Sequence, residues 1–204
     1  LYERKALILK DGKLTKVEAL SGVEPIAFPP HFPEMECFYT DGLNSLTYTM
    51  QGQIKGELSE KTIRYKGHSA EIQTLKECGY FEREAIEVDD MSVVPRSVTE
   101  AILDRRIALG DERDVTLLRI VVEGKRSGEP ASHEFEMVDY FDEEKSYTSM
   151  GKTTAYPSSI AAQMIMSGDI TQRGIVFPEE IFVGELYEPL IEALKARGVL
   201  VTYT

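Results

Sequence analysis

The most constraining feature of the sequence is the stretch 35–68, where an extended segment breaks into a polar corner twice in close succession. The apolar run Cys37-Phe38-Tyr39 stops at Thr40-Asp41-Gly42. Thr40 or Asp41 carries the side-chain oxygen with which an N-cap accepts a free helix N–H, and this predicts a helix over about 43–50. Residues 60–65 (Glu-Lys-Thr-Ile-Arg-Tyr) then alternate as a half-buried strand does, and Lys66-Gly67-His68 follows. A second helix is expected over 69–77, with Ile72 and Leu75 as its apolar stripe and Gly79 as its stop. Each corner carries polar groups that a core does not require: Thr40, Asp41, Arg64, Tyr65 and His68.

The rest of the chain supplies punctuation of the same kind. Asp11-Gly12 between residues 5–10 and 13–17 is a strong hairpin signal. Residues 23–33 hold four prolines, which argues against a central strand or a helix and for an irregular crossing segment. The acidic run 82–90 reads as a surface excursion. Ser97-Val98-Thr99-Glu100 reads as a capping box opening a helix over 98–109, with Val98, Ala101, Ile102 and Leu109 on one face. Residues 114–123 and 133–142 read as two strands joined by a flexible loop over 124–130. Residues 147–151 suit a short strand or a turn. Hydroxyls and Pro157 place a helix start near Thr153-Thr154, running to about Ser167 and Gly168. An extended piece over 174–177, a helical first turn at Pro178, an amphipathic helix over 189–197 and a final strand over 199–203 complete the chain. Strands and helices that are not in strict alternation indicate an α+β architecture, a partly antiparallel open sheet with helices on one face.

Composition narrows the function classes. The 204 residues are 42% hydrophobic, enough for one sizeable core or one domain with an extension. Thirty-five acidic against 23 basic residues give a net charge of −12, which disfavours nucleic acid and anionic membrane surfaces. No apolar run is long enough to span a bilayer. Cys37 and Cys78 stand far apart, as expected of two buried free thiols in a reducing, cytoplasmic setting. No His/Cys/Asp/Glu spacing suggests a metal, and no G-x-S-x-G turn supports a serine triad. The chain begins at Leu1, as a fragment of a longer protein would.

Thr40-Asp41-Gly42-Leu43, together with Thr62-x-Arg64-Tyr65-x-Gly67-His68 and the later Thr153-Thr154-Ala155-Tyr156-Pro157, resembles the saccharopine dehydrogenase-like family, its lysine 6-dehydrogenase branch best. Lys66 stands where the family usually has proline. The resemblance runs from about Glu24 to the C-terminus. It implies a domain like the C-terminal domain of glyceraldehyde-3-phosphate dehydrogenase, combining substrate binding with oligomerisation over residues 1–204. In that arrangement an open sheet often makes the subunit interface, here of a homodimer, and residues 150–204 lean back toward a dinucleotide-binding domain. The cofactor would be NAD or NADP. This chain has no G-x-G-x-x-G turn after a strand and is expected not to hold the cofactor by itself.

The chemistry expected of the residues is the substrate half of an amino-acid oxidation. Arg64 is the carboxylate anchor, because its planar fork matches a carboxylate bidentately. Asp41 would hold the substrate ammonium, beside Gly42 at the same corner. Thr40 and Tyr65 would orient the substrate through their hydroxyls, and His68 is the general acid or base. Thr153 and Thr154, expected at a helix N-terminus, would meet a carboxylate or a cofactor amide on the side the resemblance assigns to the nicotinamide. The implied reaction is oxidative deamination of the lysine side-chain amine. The alternatives are a saccharopine dehydrogenase or reductase, which would need more than one arginine near Arg64, and a non-catalytic module that pairs sheets. The sheet reading rests on Leu117, Ile120 and Val121 against Phe135, Val138 and Phe141.

Overall fold

In the computed structural model, which describes residues 2–108 and 110–203, Asp11 and Gly12 take left-handed φ of 50° and 70°. With both turn residues left-handed the chain reverses in two residues, so β1 (Ala6–Lys10) pairs with β2 (Lys13–Val17), from Ala6↔Val17 to Lys10↔Lys13. The chain divides into two compact units, Leu1–Ala108 and Leu109–Thr204. Every pairing between named strands is antiparallel, and the architecture is α+β.

The first unit is built on a three-stranded sheet in the order β3 (Glu24–Phe28), β4 (Phe32–Tyr39), β5 (Lys61–Tyr65). Residues 23–33 are therefore not an irregular crossing. Pro25 is tolerated because β3 lies at the sheet edge, where a missing N–H costs no ladder bond, and a register shift between Ile26 and Phe28 absorbs the rest. Ile8, Leu9, Phe28 and Phe38 are almost wholly buried and form the apolar centre of this unit. The expected helix over 43–50 is a single turn, α1 (Leu46–Thr49), with Ser45 at its N-cap and neither Thr40 nor Asp41 capping it. The second expected helix is present as α2 (His68–Glu77), with Gly79 left-handed just beyond it.

The acidic excursion is itself a small hairpin, β6 (Ile86–Val88) with β7 (Met91–Val93), turned by left-handed Asp89 and Asp90. The next helix, α3 (Pro95–Ile107), starts two residues before the expected capping box. Val94 is its N-cap and Pro95 its first residue, where a missing N–H is harmless. Its anticipated apolar face is exposed at Val98 and Ile102, Leu109 lies outside the described residues, and Thr99 is the buried position, its hydroxyl donating to the Tyr80 carbonyl at 2.8 Å. Cys37 is buried as expected, but Cys78 is exposed.

In the second unit the expected flexible loop over 124–130 is a two-residue turn. Ser127 and Gly128 take φ of 55° and 92°, and the strands extend to meet it: β8 (Val115–Arg126) pairs with β9 (Glu129–Tyr140) without a break, from Val115↔Tyr140 to Arg126↔Glu129. A short third strand, β10 (Thr202–Tyr203), pairs with the other side of β9, giving the order β10-β9-β8. Directly opposed residues share a face, so Leu117 and Val138 lie on one side while Ile120 and Phe135 lie on the other. The apolar set expected on one sheet face is thus divided between two.

The inner face meets α4 (Ser149–Ser167), and Met137 packs with Ile160, Met164, Ile170, Ile181, Leu194 and Val199 as the core. The last two helices, α5 (Pro178–Ile181) and α6 (Tyr187–Lys195), close over it. A polar pin crosses this core. Lys152 and Asp139, both about 5% exposed, form an ion pair of 3.2 Å, and the fully buried Ser149 hydroxyl reaches Asp139 Oδ2 at 2.6 Å and Thr116 Oγ1 at 2.8 Å. Removing one member of a buried pair strands the other's charge. Lys152→Ala is expected to lower the stability of the chain by roughly 3–5 kcal/mol in urea denaturation, several times the ~1 kcal/mol of Ile160→Val beside it. Equal, small losses for the two variants would contradict the pin.

Candidate functional site at the start of α2

The β4–β5 ladder decides which of the predicted site residues can meet. Glu36 opposes Arg64, and Phe38 opposes Thr62, so these side chains share one face of the sheet with Thr40 and Glu60. Tyr65 opposes Met35 on the other face and is exposed. An arginine opposite a glutamate ordinarily pairs with it. Here Glu36, buried on that face, is committed elsewhere: Oε2 accepts from the Gly67 N–H at 2.9 Å and Oε1 from the Ser69 N–H at 2.6 Å. It thus supplies the oxygens for the first free amides of α2, whose N-cap, Gly67, offers no side chain and sits at φ 99°. Burial pushes the Glu36 carboxyl up, but the Ser69 and Gly67 amides, the Ser69 hydroxyl and nearby His68 outweigh it and hold the group below the usual carboxylate range.

Arg64 is left without an acid. Its Nη1 donates to the Ile63 carbonyl at 2.7 Å, and among the described residues no carboxylate lies within ion-pair distance of it. The guanidinium is half-buried, in a chain where acids far outnumber bases. Beside it, at the first position of α2, His68 is half-buried too. Its Nε2 is 3.0 Å from the Tyr2 hydroxyl, and its ring lies parallel to Phe38 with centroids 6.2 Å apart. Burial, and then the charge of Arg64, lower the His68 pKa, partly offset by Glu36 and Glu71, so the ring is neutral near pH 7.

The other predicted residues are placed differently. Thr40 is buried, donates to Glu60 Oε2 at 2.7 Å and lies 2.5 Å from the Thr62 hydroxyl, so its hydroxyl is consumed inside the fold. Gly42 leaves room for the Glu60 carboxylate, since a Cβ there would stand 2.6 Å from Oε2 and displace that side chain. Asp41 is near Arg4, at 3.9 Å. It lies two residues past the end of β4, and among the described residues no hydrogen bond or ion pair joins it to Arg64. A groove of about 410 Å³ over β3 and β4 is lined by Glu36 and Lys66 but by neither Arg64 nor Asp41.

Thr153 and Thr154 are not at a helix start. The helix begins two turns before Pro157, at Ser149, which puts both threonines in its interior. The first amides of α4 are already matched: Ser149 and Met150 donate to Asp114 at 2.6 and 2.8 Å, and Gly151 to Thr148 Oγ1 at 3.1 Å. Thr153 donates its hydroxyl back to the Ser149 carbonyl at 2.9 Å. No free donors remain at that end for a cofactor amide or phosphate, so the residues of α4 do not form a dinucleotide cradle. Among the described residues no metal-ligand cluster occurs, and no helix is long and apolar enough to cross a membrane.

Nothing in the local sequence pattern marks Glu36, Glu60, Asp114 or the Ser149–Lys152–Asp139 pin. A glutamate inside an alternating strand reads as solvent-facing, and its target amides are more than thirty residues away.

The corner thus joins an antiparallel α+β scaffold to a half-buried guanidinium that meets no acid among the described residues. The chain belongs to the saccharopine dehydrogenase C-terminal domain family, whose pattern matches residues 2–199. It is 33% identical to bovine mitochondrial alpha-aminoadipic semialdehyde synthase over 76 residues, 37% of this chain and 8% of that protein. It is 35% identical to the mouse protein of the same name over 54 residues, 26% of this chain and 6% of that protein. The chain thus matches less than a tenth of the length of these relatives.

Two outcomes follow for this corner. Replacing Glu36 by Ala leaves the buried Ser69 amide and the half-buried Gly67 amide without acceptors and is expected to cost about 2 kcal/mol, read in urea denaturation and as loss of amide-exchange protection at Ser69. The folded His68 pKa lies below its unfolded value, so its contribution to stability is present above the unfolded pKa and is lost as pH falls through the folded one. Thermal melts of the wild type between pH 7.5 and pH 5 should therefore fall more than those of His68→Gln; parallel curves would contradict the assignment.

Proposed function

We propose that this chain is the substrate-binding part of an NAD(P)-dependent amino-acid oxidoreductase of the saccharopine dehydrogenase family, acting on the side-chain amine of lysine or a lysine derivative. The observation that carries the reading is Arg64: half-buried, matched by no acid among the described residues, and opposite a glutamate that is bonded to helix amides. Such a guanidinium is arranged to receive the α-carboxylate of an amino acid through its bidentate fork. Neutral His68, with the Tyr2 hydroxyl on Nε2, stands beside it as the proton acceptor. NAD or NADP is held by a part of the enzyme outside this chain, and residues 150–204 pack toward that part.

Asp41 stands outside this reading, its carboxylate 3.9 Å from Arg4. Within the family, a lysine 6-dehydrogenase-like reaction fits Arg64 as the one arginine of the β3–β5 sheet, because a substrate with a single carboxylate needs a single fork. The saccharopine reaction is the second reading, favoured by the name of the family and by the relatives above. The chain further self-associates through the sheet of the second unit. A reducing compartment, the cytoplasm first, suits the two free thiols, while the relatives carry "mitochondrial" in their names.

The test is Arg64→Ala and Arg64→Lys in the complete enzyme, assayed with lysine and with saccharopine. Losing the fork should raise KM for the true substrate at least about ten-fold, with Lys restoring only part because it binds as a point charge. An unchanged KM for both substrates would refute the anchor.

A further inference from the structure

The outer edge of β8 is bare. In the sheet order β10-β9-β8 this strand has a neighbour on one side only, and it is among the longest strands of the chain, 12 residues without a bulge. Val121 and Val122 at its middle are about half exposed. The two-residue turn at Ser127-Gly128 closes on Arg126↔Glu129, the pair that exchanges both hydrogen bonds in such a hairpin. Counting back in twos, the even-numbered residues of β8 direct N–H and C=O toward β9, and the odd-numbered ones, from 115 to 125, direct theirs outward. Two contacts agree with this count: the Asp114 carbonyl accepts from the Phe141 amide at 3.1 Å, and the Glu136 carbonyl, on the far side of β9, accepts from the Thr202 hydroxyl. Among the described residues no backbone hydrogen bond from outside the hairpin reaches Leu117, Val121, Glu123 or Lys125. β8 holds neither a bulge nor a proline, and its edge is marked only by the charges of Arg119, Glu123 and Lys125.

The residues on that edge select a partner. Outward groups can pair only odd with odd, which restricts the registers in which a second β8 can lie antiparallel. Centred on Val121, the pairing sets Val121 against Val121 of the second copy, Arg119 against its Glu123 and Leu117 against its Lys125, and overlaps nearly the whole strand. Moving the centre to Arg119 or Glu123 opposes like charges, and centring on residue 122 sets Arg119 against Lys125. Centring on residue 120 leaves both Arg119 and Glu123 opposite apolar side chains. The outer sheet face argues for edge contact over face contact. At its centre Arg119 reaches Glu134 at 2.9 Å and Glu136 at 3.3 Å, a charged triad that face-to-face packing would bury at a cost and edge pairing leaves in water.

We propose that two copies of this chain join edge to edge through β8, antiparallel about a two-fold axis at Val121, making one continuous six-stranded sheet. The inference rests on the self-association stated above and specifies its geometry. Val121→Pro removes an N–H that points outward and leaves the β8–β9 ladder intact. Val121→Cys, made with Cys78→Ser, places two thiols on the axis with Cα atoms about 5.5 Å apart, within disulfide reach.

Sedimentation of the 204-residue chain should show a dimer for the wild type and a monomer for Val121→Pro, with circular dichroism unchanged. Glu123→Arg should weaken the dimer at least about ten-fold, by facing Arg119 of the second copy. Under mild oxidation Val121→Cys/Cys78→Ser should give a covalent dimer and Val122→Cys/Cys78→Ser far less. A wild-type dimer that survives Val121→Pro, or equal cross-linking at 121 and 122, would overturn the edge register while leaving self-association standing. A wild type that stays monomeric at its highest soluble concentration would overturn both.

Discussion

The first unit depends on one carboxylate answering two amides. Glu36 on β4 receives the Gly67 and Ser69 N–H groups, and this ties the sheet to the start of α2. The geometry follows from chain constraints: Gly67 alone tolerates a φ of 99° at the corner, and a residue without a side chain leaves the cap to be supplied from elsewhere. The consequence falls on the neighbouring rung. Because the acid across from Arg64 is occupied, the guanidinium is held half-buried without an acidic partner among the described residues, next to a histidine that its charge helps to keep neutral. A structural cap and a candidate binding group are thus two outcomes of the same hydrogen bonds.

The second unit repeats the device with more buried parts. Asp114 answers the first two amides of α4 from the strand side, while Ser149, Lys152 and Asp139 pin the same helix to β9 through the core. Here every polar group is matched internally, which is the mark of a support rather than a site. The fully satisfied cluster in this unit contrasts with the guanidinium of the first, which meets no acid among the described residues.

Much of the local structure was legible in the sequence. Asp11-Gly12 marked its hairpin, period-two alternation marked β5, and Gly79 and Gly168 marked two helix ends, because in each case the determining groups are neighbours in the chain. What failed was whatever depended on a distant partner. The prolines of 23–33 read as breakers until β3 proved to be an edge. Pro157 read as a helix start, yet it is inside α4, whose true start is set by Asp114 thirty-five residues earlier. Arg64 and His68 were found as polar groups at a corner. Their relation to Glu36 was not, because the amides that occupy this carboxylate lie more than thirty residues further along the chain.

The claim at the centre of this account is that backbone amides, and not the arginine across the sheet, hold Glu36 in its charged form. Carbon-13 titration of the Glu36 carboxyl in the wild type and in Arg64→Gln measures this directly. A pKa below the ordinary glutamate range in the wild type, and hardly moved by loss of Arg64, is the predicted result. A rise to the ordinary value on removing Arg64 would show that the two groups pair after all, and that the guanidinium is not free to bind a substrate.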